Sequence, residues 1–202
     1  MWNIVCGGEA GQGINVLASI IAKILSRSGF YTFTSREYES RIRGGHNSNT
    51  ITFSSTPINS NPTQIDILIA LDKNTENIHK SNLKQHTIIL QPGKHNMYYA
   101  GEIAKIMNIN FSILESELRQ LKNFEENSKS AEQGYNEEKR TLNITAPQNK
   151  IKYTMTGSEA FALGALSSGI DFYYSYPMTP AKRLSVELSK IQIGRASCRE
   201  RV

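Results

Sequence analysis

The chain has 202 residues, with 23 Lys and Arg against 18 Asp and Glu, a net charge of +5. That length holds one full domain, or one domain and part of another, and buries about 70% of its unfolded surface. No stretch approaches the roughly 18 apolar residues of a membrane-spanning helix, so no membrane partner is expected. A strand-like segment, Trp2 to Cys6, follows Met1 directly. No targeting segment is therefore expected, and a cytoplasmic location is.

Cys6 and Cys198 are the two cysteines. They make a disulfide framework unexpected, and they cannot supply a four-cysteine iron–sulfur cluster, which would have to sit on a partner. The last ten residues, Ile193 to Val202, fit codon by codon the translation of a short-read sequencing adapter and are expected to be a processing scar. Without Arg195, Arg199, Arg201 and Glu200 the net charge falls from +5 to +3. A nucleic-acid partner, which would rest on that basic tail, is then not expected.

In chain order, Trp2 to Cys6 reads as a strand and Gly7-Gly8-Glu9-Ala10-Gly11-Gln12-Gly13 as a turn. Ile14, Leu17, Ile20, Ile21, Ile24 and Leu25 recur at helical spacing, ending near Gly29. Phe30 to Thr34 is β-rich, and Asn49 to Ser54 alternates as a strand does. Ile65 to Leu71 is apolar apart from Asp66, as in a buried parallel strand. Asp72 to Leu83 reads as a helix and Thr87 to Leu90 as a strand. Strands interleaved with helices predict a layered α/β sheet. Asn96 to Asn108 and Ser112 to Ser130 read as helices. The first domain is placed at 1–130, a polar linker at 131–150, and the start of a second α/β domain at 151–192. In that second part Gly157 to Gly169 reads as a helix rich in small residues, Ile170 to Ser175 as a strand, Tyr176 to Pro180 as a turn, and Ala181 to Gln192 as a helix.

Four segments carry candidate chemistry. The loop with Gly8, Gly11, Gln12 and Gly13 lies between a strand and a helix, where backbone amides approach a phosphate. It lacks a Gly-Lys-Ser/Thr ending, so a tight βα turn explains it equally. Arg36, Arg41 and Arg43 around Gly44-Gly45-His46 make either an anion site or a solvated loop or subunit contact. His46 has no second ligand at a metal-binding spacing, so no metal site is assigned. Thr156 and Glu159 fit a capping box. In Tyr176-Pro177-Met178-Thr179-Pro180 two prolines fix a turn and the place of Thr179, or simply make an ordinary turn.

Taken in order, Ile4 to Ser54 with its two glycine loops, Asp66 to Asp72, Asn96 to Gly101 and Asn127 to Tyr135 resemble the gamma domain of the 2-oxoacid:ferredoxin oxidoreductases. Met155 to Ala181 is similar to the opening of the catalytic alpha domain, with its Tyr-Pro-x-Thr-Pro turn. Gamma fused ahead of alpha resembles the alpha subunits of the 2-oxoglutarate and branched-chain type.

That resemblance implies oxidative decarboxylation of a 2-oxoacid with coenzyme A and transfer of electrons to ferredoxin. It implies a thiamine diphosphate-binding (pyrimidine-type) fold after residue 151. Thiamine diphosphate, Mg²⁺ and the iron–sulfur cluster would be held by a beta subunit, in a heterodimer or a dimer of heterodimers. Thr179 would be catalytic, beside the thiazolium, with Tyr176, Pro177 and Pro180 close to substrate and cofactor. Gly8, Gly11, Gln12, Gly13, Arg36, Arg41 and Arg43 would face coenzyme A. The family's thiamine-activating acidic residue is expected beyond Gln192, so this chain alone is expected to be inactive. The stretch from Leu90 to Asn96 is shorter than the family's. A nucleotide- or flavin-binding module and a non-catalytic assembly subunit are the competing readings.

Overall fold

In the computed structural model, residues 1–38, 45–149, 153–176, 178–179 and 181–190 are described. Arg41, Arg43, Pro177, Pro180 and residues 193–202 lie outside them. The chain divides into two compact units, Met1–Lys152 and Tyr153–Val202.

The first unit is built on five strands, β1 (Trp2–Glu9), β2 (Tyr31–Tyr38), β3 (His46–Ser54), β4 (Ile65–Ala70) and β5 (Leu83–Leu90). They lie in the order β2-β3-β1-β4-β5. β1 and β4, and β4 and β5, are parallel, whereas β3 is antiparallel to both β1 and β2. β1 is thus central, and the α/β class follows from helices packed on its sheet.

One face of the sheet carries the core. Ile4 and Cys6 of β1, Ile51 and Phe53 of β3, and Ile67 and Ile69 of β4 are each fully buried. They pack with α1 (Ile14–Arg27), whose Leu17, Ile21, Ile24 and Leu25 are also fully buried. Burying a Leu or Ile side chain contributes about 1.5–3 kcal/mol, so this face dominates the unit's stability. α3 (Asn96–Ile106), α4 (Phe111–Leu118) and α5 (Phe124–Glu137) extend the same core. The opposite face is more polar. There Asn3 donates its side-chain amide to Pro62 O and Gln64 O, and Thr52 Oγ1 donates to Asn3 Oδ1 and Asn61 Oδ1.

Several elements differ from the sequence reading. β1 runs to Glu9, three residues further than Cys6, because Gly7, Gly8 and Glu9 still pair with Ser48, Asn47 and His46. The segment from Asp72 holds only a short helix, α2 (Thr75–His79), and a 3₁₀ turn, Lys80–Asn82, before β5. Ser112 to Ser130 is two helices, broken where Asn123 takes a left-handed φ of 58°. The expected linker at 131–150 begins inside α5, with Ala131 fully buried against the core, and Leu142 and Ile144 also pack on it. Polar composition misled there: α5 exposes most of its length and buries a narrow stripe.

The second unit contains α6 (Gly157–Ser167) and α7 (Ala181–Lys190). The capping box forms as expected, with Glu159 N donating to Thr156 Oγ1 at 3.3 Å and Thr156 N to Glu159 Oε2 at 2.5 Å. Ile170 to Tyr176 forms no ladder with another strand among the described residues. An apolar, aromatic run alone does not make a strand without a neighbour to pair with.

Candidate anion-binding site at the glycine loop

The turn Ala10–Gly13 joins the C-terminal end of β1 to α1. Gln12 closes it: Glu9 N donates to Gln12 Oε1 at 2.8 Å, and Gln12 Nε2 donates to Leu71 O at 3.4 Å. Gly8 makes room for that amide, since a Cβ there would lie 2.3 Å from Gln12 Oε1. The Gln12 side chain therefore builds the loop. Gly13 turns the chain with φ 76°, a region that favours glycine, and stands at the start of α1. No side chain caps α1 and no acidic residue sits in its first turn. Its first amides and the positive end of its dipole are thus left for an anion or water.

A second helix start comes to the same place. Asn96 Nδ2 donates to Gln12 O at 2.6 Å, fixing the first turn of α3 against the loop. His95 caps α3, its Nδ1 accepting from Met97 N at 3.3 Å, and Lys94 lies just before it. The connection from β5 is tight: Tyr99 Oη donates to Gln91 O and accepts from Lys94 N.

Arg36 joins from β2. The register sets it opposite Asn49, on the face that carries α1. Asn49 Nδ2 in turn donates to Asn15 Oδ1 at 3.0 Å in the first turn of α1. Gly8, Gly11, Gln12 and Gly13 lie together at the end of β1, and Arg36 lies two strands away towards the same end of the sheet; Gly11 has open space on its Cβ side. Glu9 is exposed at the same end, a charge that an incoming phosphate would meet.

The sequence reading missed Asn96 and Asn49, because side-chain amides that touch a loop across 84 and 34 positions leave no local pattern. It also missed a histidine pair on the opposite face: His46 Nε2 and His79 Nε2 lie 3.0 Å apart.

In the second unit Thr179 and Tyr176 are exposed, Tyr176 to 71%. Met178 N donates to Tyr176 O at 2.7 Å, and Lys182 N to Met178 O at 3.0 Å, so the segment turns directly into α7. Among the described residues no three His, Cys, Asp or Glu side chains cluster to hold a metal ion. Among the described residues nothing encloses Tyr176 or Thr179. These residues do not by themselves fit a diphosphate with its Mg²⁺.

The sequence profile of the pyruvate ferredoxin/flavodoxin oxidoreductase family matches residues 3–123. The chain belongs to that family. Residues of the chain are 39% identical over 71 positions to the alpha subunit of a 2-oxoacid:ferredoxin oxidoreductase from Sulfolobus sp, a match covering 35% of this chain and 11% of that protein. The alpha subunit of the Saccharolobus solfataricus enzyme is 36% identical over 78 positions, covering 39% and 12%. This family member thus matches only about a tenth of the length of its curated relatives.

Its fold is that of the 2-oxoglutarate:ferredoxin oxidoreductase from Magnetococcus marinus, solved with 2-oxoglutarate, coenzyme A and succinyl-CoA. The TM-score is 0.79 at 19% identity, over 94% of this chain and 41% of that one. The gamma subunit of a keto/oxoacid ferredoxin oxidoreductase from Geobacter sulfurreducens matches with a TM-score of 0.57 at 20% identity, over 67% of this chain and 94% of that one. No described helix is long and apolar enough to cross a membrane.

Proposed function

We propose that the chain is the gamma domain and the beginning of the catalytic alpha domain of a 2-oxoacid:ferredoxin oxidoreductase alpha subunit. The gamma part extends past residue 130, through α5 and on to Ile144, and residues 151–192 open the alpha part. The whole enzyme decarboxylates a 2-oxoacid, transfers the acyl group to coenzyme A and passes two electrons to ferredoxin. The observation that carries the reading is the meeting of two helix starts, α1 and α3, at the end of β1 in a member of this family, with Arg36 two strands away at the same end of the sheet. Amides, a guanidinium and Lys94 there suit the phosphates of coenzyme A.

Arg36, with Arg41 and Arg43, would neutralise the phosphates, while Gly11 and Gly13 let the ligand approach backbone. Thr179 would hydrogen-bond the 2-oxoacid, with Tyr176, Pro177 and Pro180 lining its surroundings. Thiamine diphosphate, when bound, supplies the carbanion chemistry. It would be held, with Mg²⁺ and the iron–sulfur cluster, by a beta subunit. On this reading the enzyme is a cytoplasmic heterodimer or a dimer of heterodimers.

The test is to produce the reading frame containing this chain together with its beta partner and to follow ferredoxin reduction with a panel of 2-oxoacids. The expected result is reduction that requires both a 2-oxoacid and coenzyme A, with the coenzyme A KM raised by Arg36→Gln and kcat lowered by Thr179→Val. The 202-residue chain alone should show no turnover. A complex that binds coenzyme A but oxidises no 2-oxoacid would overturn the catalytic reading. Binding of flavin instead of coenzyme A would favour a flavin-binding module.

A further inference from the structure

The polar face of the sheet, opposite the glycine loop's helix, carries a feature that the proposed function does not use. His46 opens β3 and His79 ends α2. α2 is fixed by Asp72, whose Oδ1 accepts from Asn74 N at 2.7 Å, Thr75 N at 2.9 Å and Thr75 Oγ1 at 3.1 Å. Thr75 is fully buried under it. Gly7 leaves the space in which both groups sit: a Cβ there would lie 2.6 Å from Thr75 Cγ2 and 2.9 Å from His46 Cε1. The two rings then meet with centroids 5.1 Å apart and Nε2 atoms 3.0 Å apart.

We propose that His46 and His79 form a two-imidazole site for a divalent first-row transition metal of the nickel or copper kind, with water completing the coordination. Imidazole binds such ions through its neutral nitrogen, with metal–nitrogen distances of about 2.0–2.1 Å. Two such bonds at a right angle put the nitrogens about 2.9 Å apart, and at a tetrahedral angle about 3.3 Å. The observed 3.0 Å lies between these two values, and imidazole ligands bind nickel and copper strongly in the first-row series.

The surroundings agree. Glu37 of β2 and Glu9 of β1 are on this same face by register, through Ser48 and His46 of β3, and bring negative charge towards a bound cation. Binding through both Nε2 atoms asks each ring to carry its proton on Nδ1. The simpler alternative is one N–H···N hydrogen bond between neutral rings.

The experiment titrates Ni²⁺ into the untagged full chain by calorimetry and records the electron paramagnetic resonance of the Cu²⁺ form. The expected result is one equivalent of Ni²⁺, lost in His46→Gln and in His79→Gln and retained in His86→Gln on exposed β5. The Cu²⁺ spectrum should show coupling to two imidazole nitrogens. Circular dichroism checks that the variants fold. If His46→Gln unfolds, the His79→Gln titration and the wild-type Cu²⁺ spectrum decide. No saturable binding by the folded wild type, or equal binding by folded His79→Gln, would overturn the site and leave a hydrogen-bonded pair. None of these readouts depends on oxidoreductase activity or on coenzyme A.

Discussion

Asn96 reaches across 84 positions to donate its side-chain amide to the Gln12 carbonyl at 2.6 Å. The contact joins the first turn of α3 to the turn that starts α1. Two helix starts are thereby tied to one turn.

Asn96→Ala should therefore cost about 1–2 kcal/mol in urea unfolding, the usual loss when a part-buried hydrogen bond leaves its acceptor unpaired. It should also weaken coenzyme A binding in the whole enzyme, because α3 loses its anchor. Asn96→Asp should be worse than Ala, since a carboxylate would face a carbonyl. If all three proteins unfold at the same urea concentration, the contact is not structural.

The closest packing in the first unit is between α3 and α5. A Cβ on Gly101 would lie 1.9 Å from Ala131 O, and one on Gly134 would lie 2.1 Å from Tyr98 O. Both obstacles are helix backbone, which cannot rotate aside. Gly101→Ala and Gly134→Ala should each destabilise the chain by about 1–3 kcal/mol, the scale of overpacking. Ordinarily Gly→Ala inside a helix stabilises by about 1 kcal/mol, so the sign itself is the test. The two changes act on one interface, and the double variant should lose less than the sum. Thermal unfolding of the four proteins checks both points.

These glycines show what sequence reading reaches and where it stops. The strand β4 was legible because Ile65 to Leu71 is apolar on both faces, as a strand between two parallel neighbours must be. The helix α1 was legible from its spacing of Ile and Leu. The loop from Gly7 to Gly13 could be placed but not understood, since its closure depends on Leu71 and Asn96 from distant elements. α5 was misread because only Ala131 and Gly134 of it are buried, and neither marks a helix face by hydrophobicity. His46 was set aside for want of a partner in sequence; His79 comes to it through the fold of α2, 33 positions away.

Glu102 on α3 gives the chain a pH dependence. Burial and the neighbouring Glu138 push its carboxyl up to about 7, against the pull of Arg140 and Lys94. The folded state thus holds this proton more tightly than the unfolded chain, whose value is near 4.5. The contribution is complete below about 4.5 and is lost as pH rises through about 7. Glu102→Gln should leave stability at pH 4 nearly unchanged and raise it at pH 8 by about 1–3 kcal/mol. Urea unfolding at both values measures the difference. Equal effects at the two pH values would mean that Glu102 acts by packing and not by charge.

The second unit leaves much of its apolar surface uncovered. Phe161 is 65% exposed and Leu163 49%, while Ala162 between them is buried. Phe172, Tyr174 and Met178 are exposed as well. A large apolar side chain in a packed core costs about 3–5 kcal/mol when cut back to Ala, whereas an exposed one stays within about 0.5 kcal/mol. Phe161→Ser in this chain should therefore leave the unfolding midpoint unchanged and lower the fluorescence of a bound hydrophobic dye. The same substitution in the whole alpha subunit should be destabilising on the scale of a core deletion, if the proposed continuation of the alpha domain packs on α6. A neutral outcome in both settings would mean that α6 keeps an open face in the enzyme, and the reading of residues 151–192 as the start of that domain would fall.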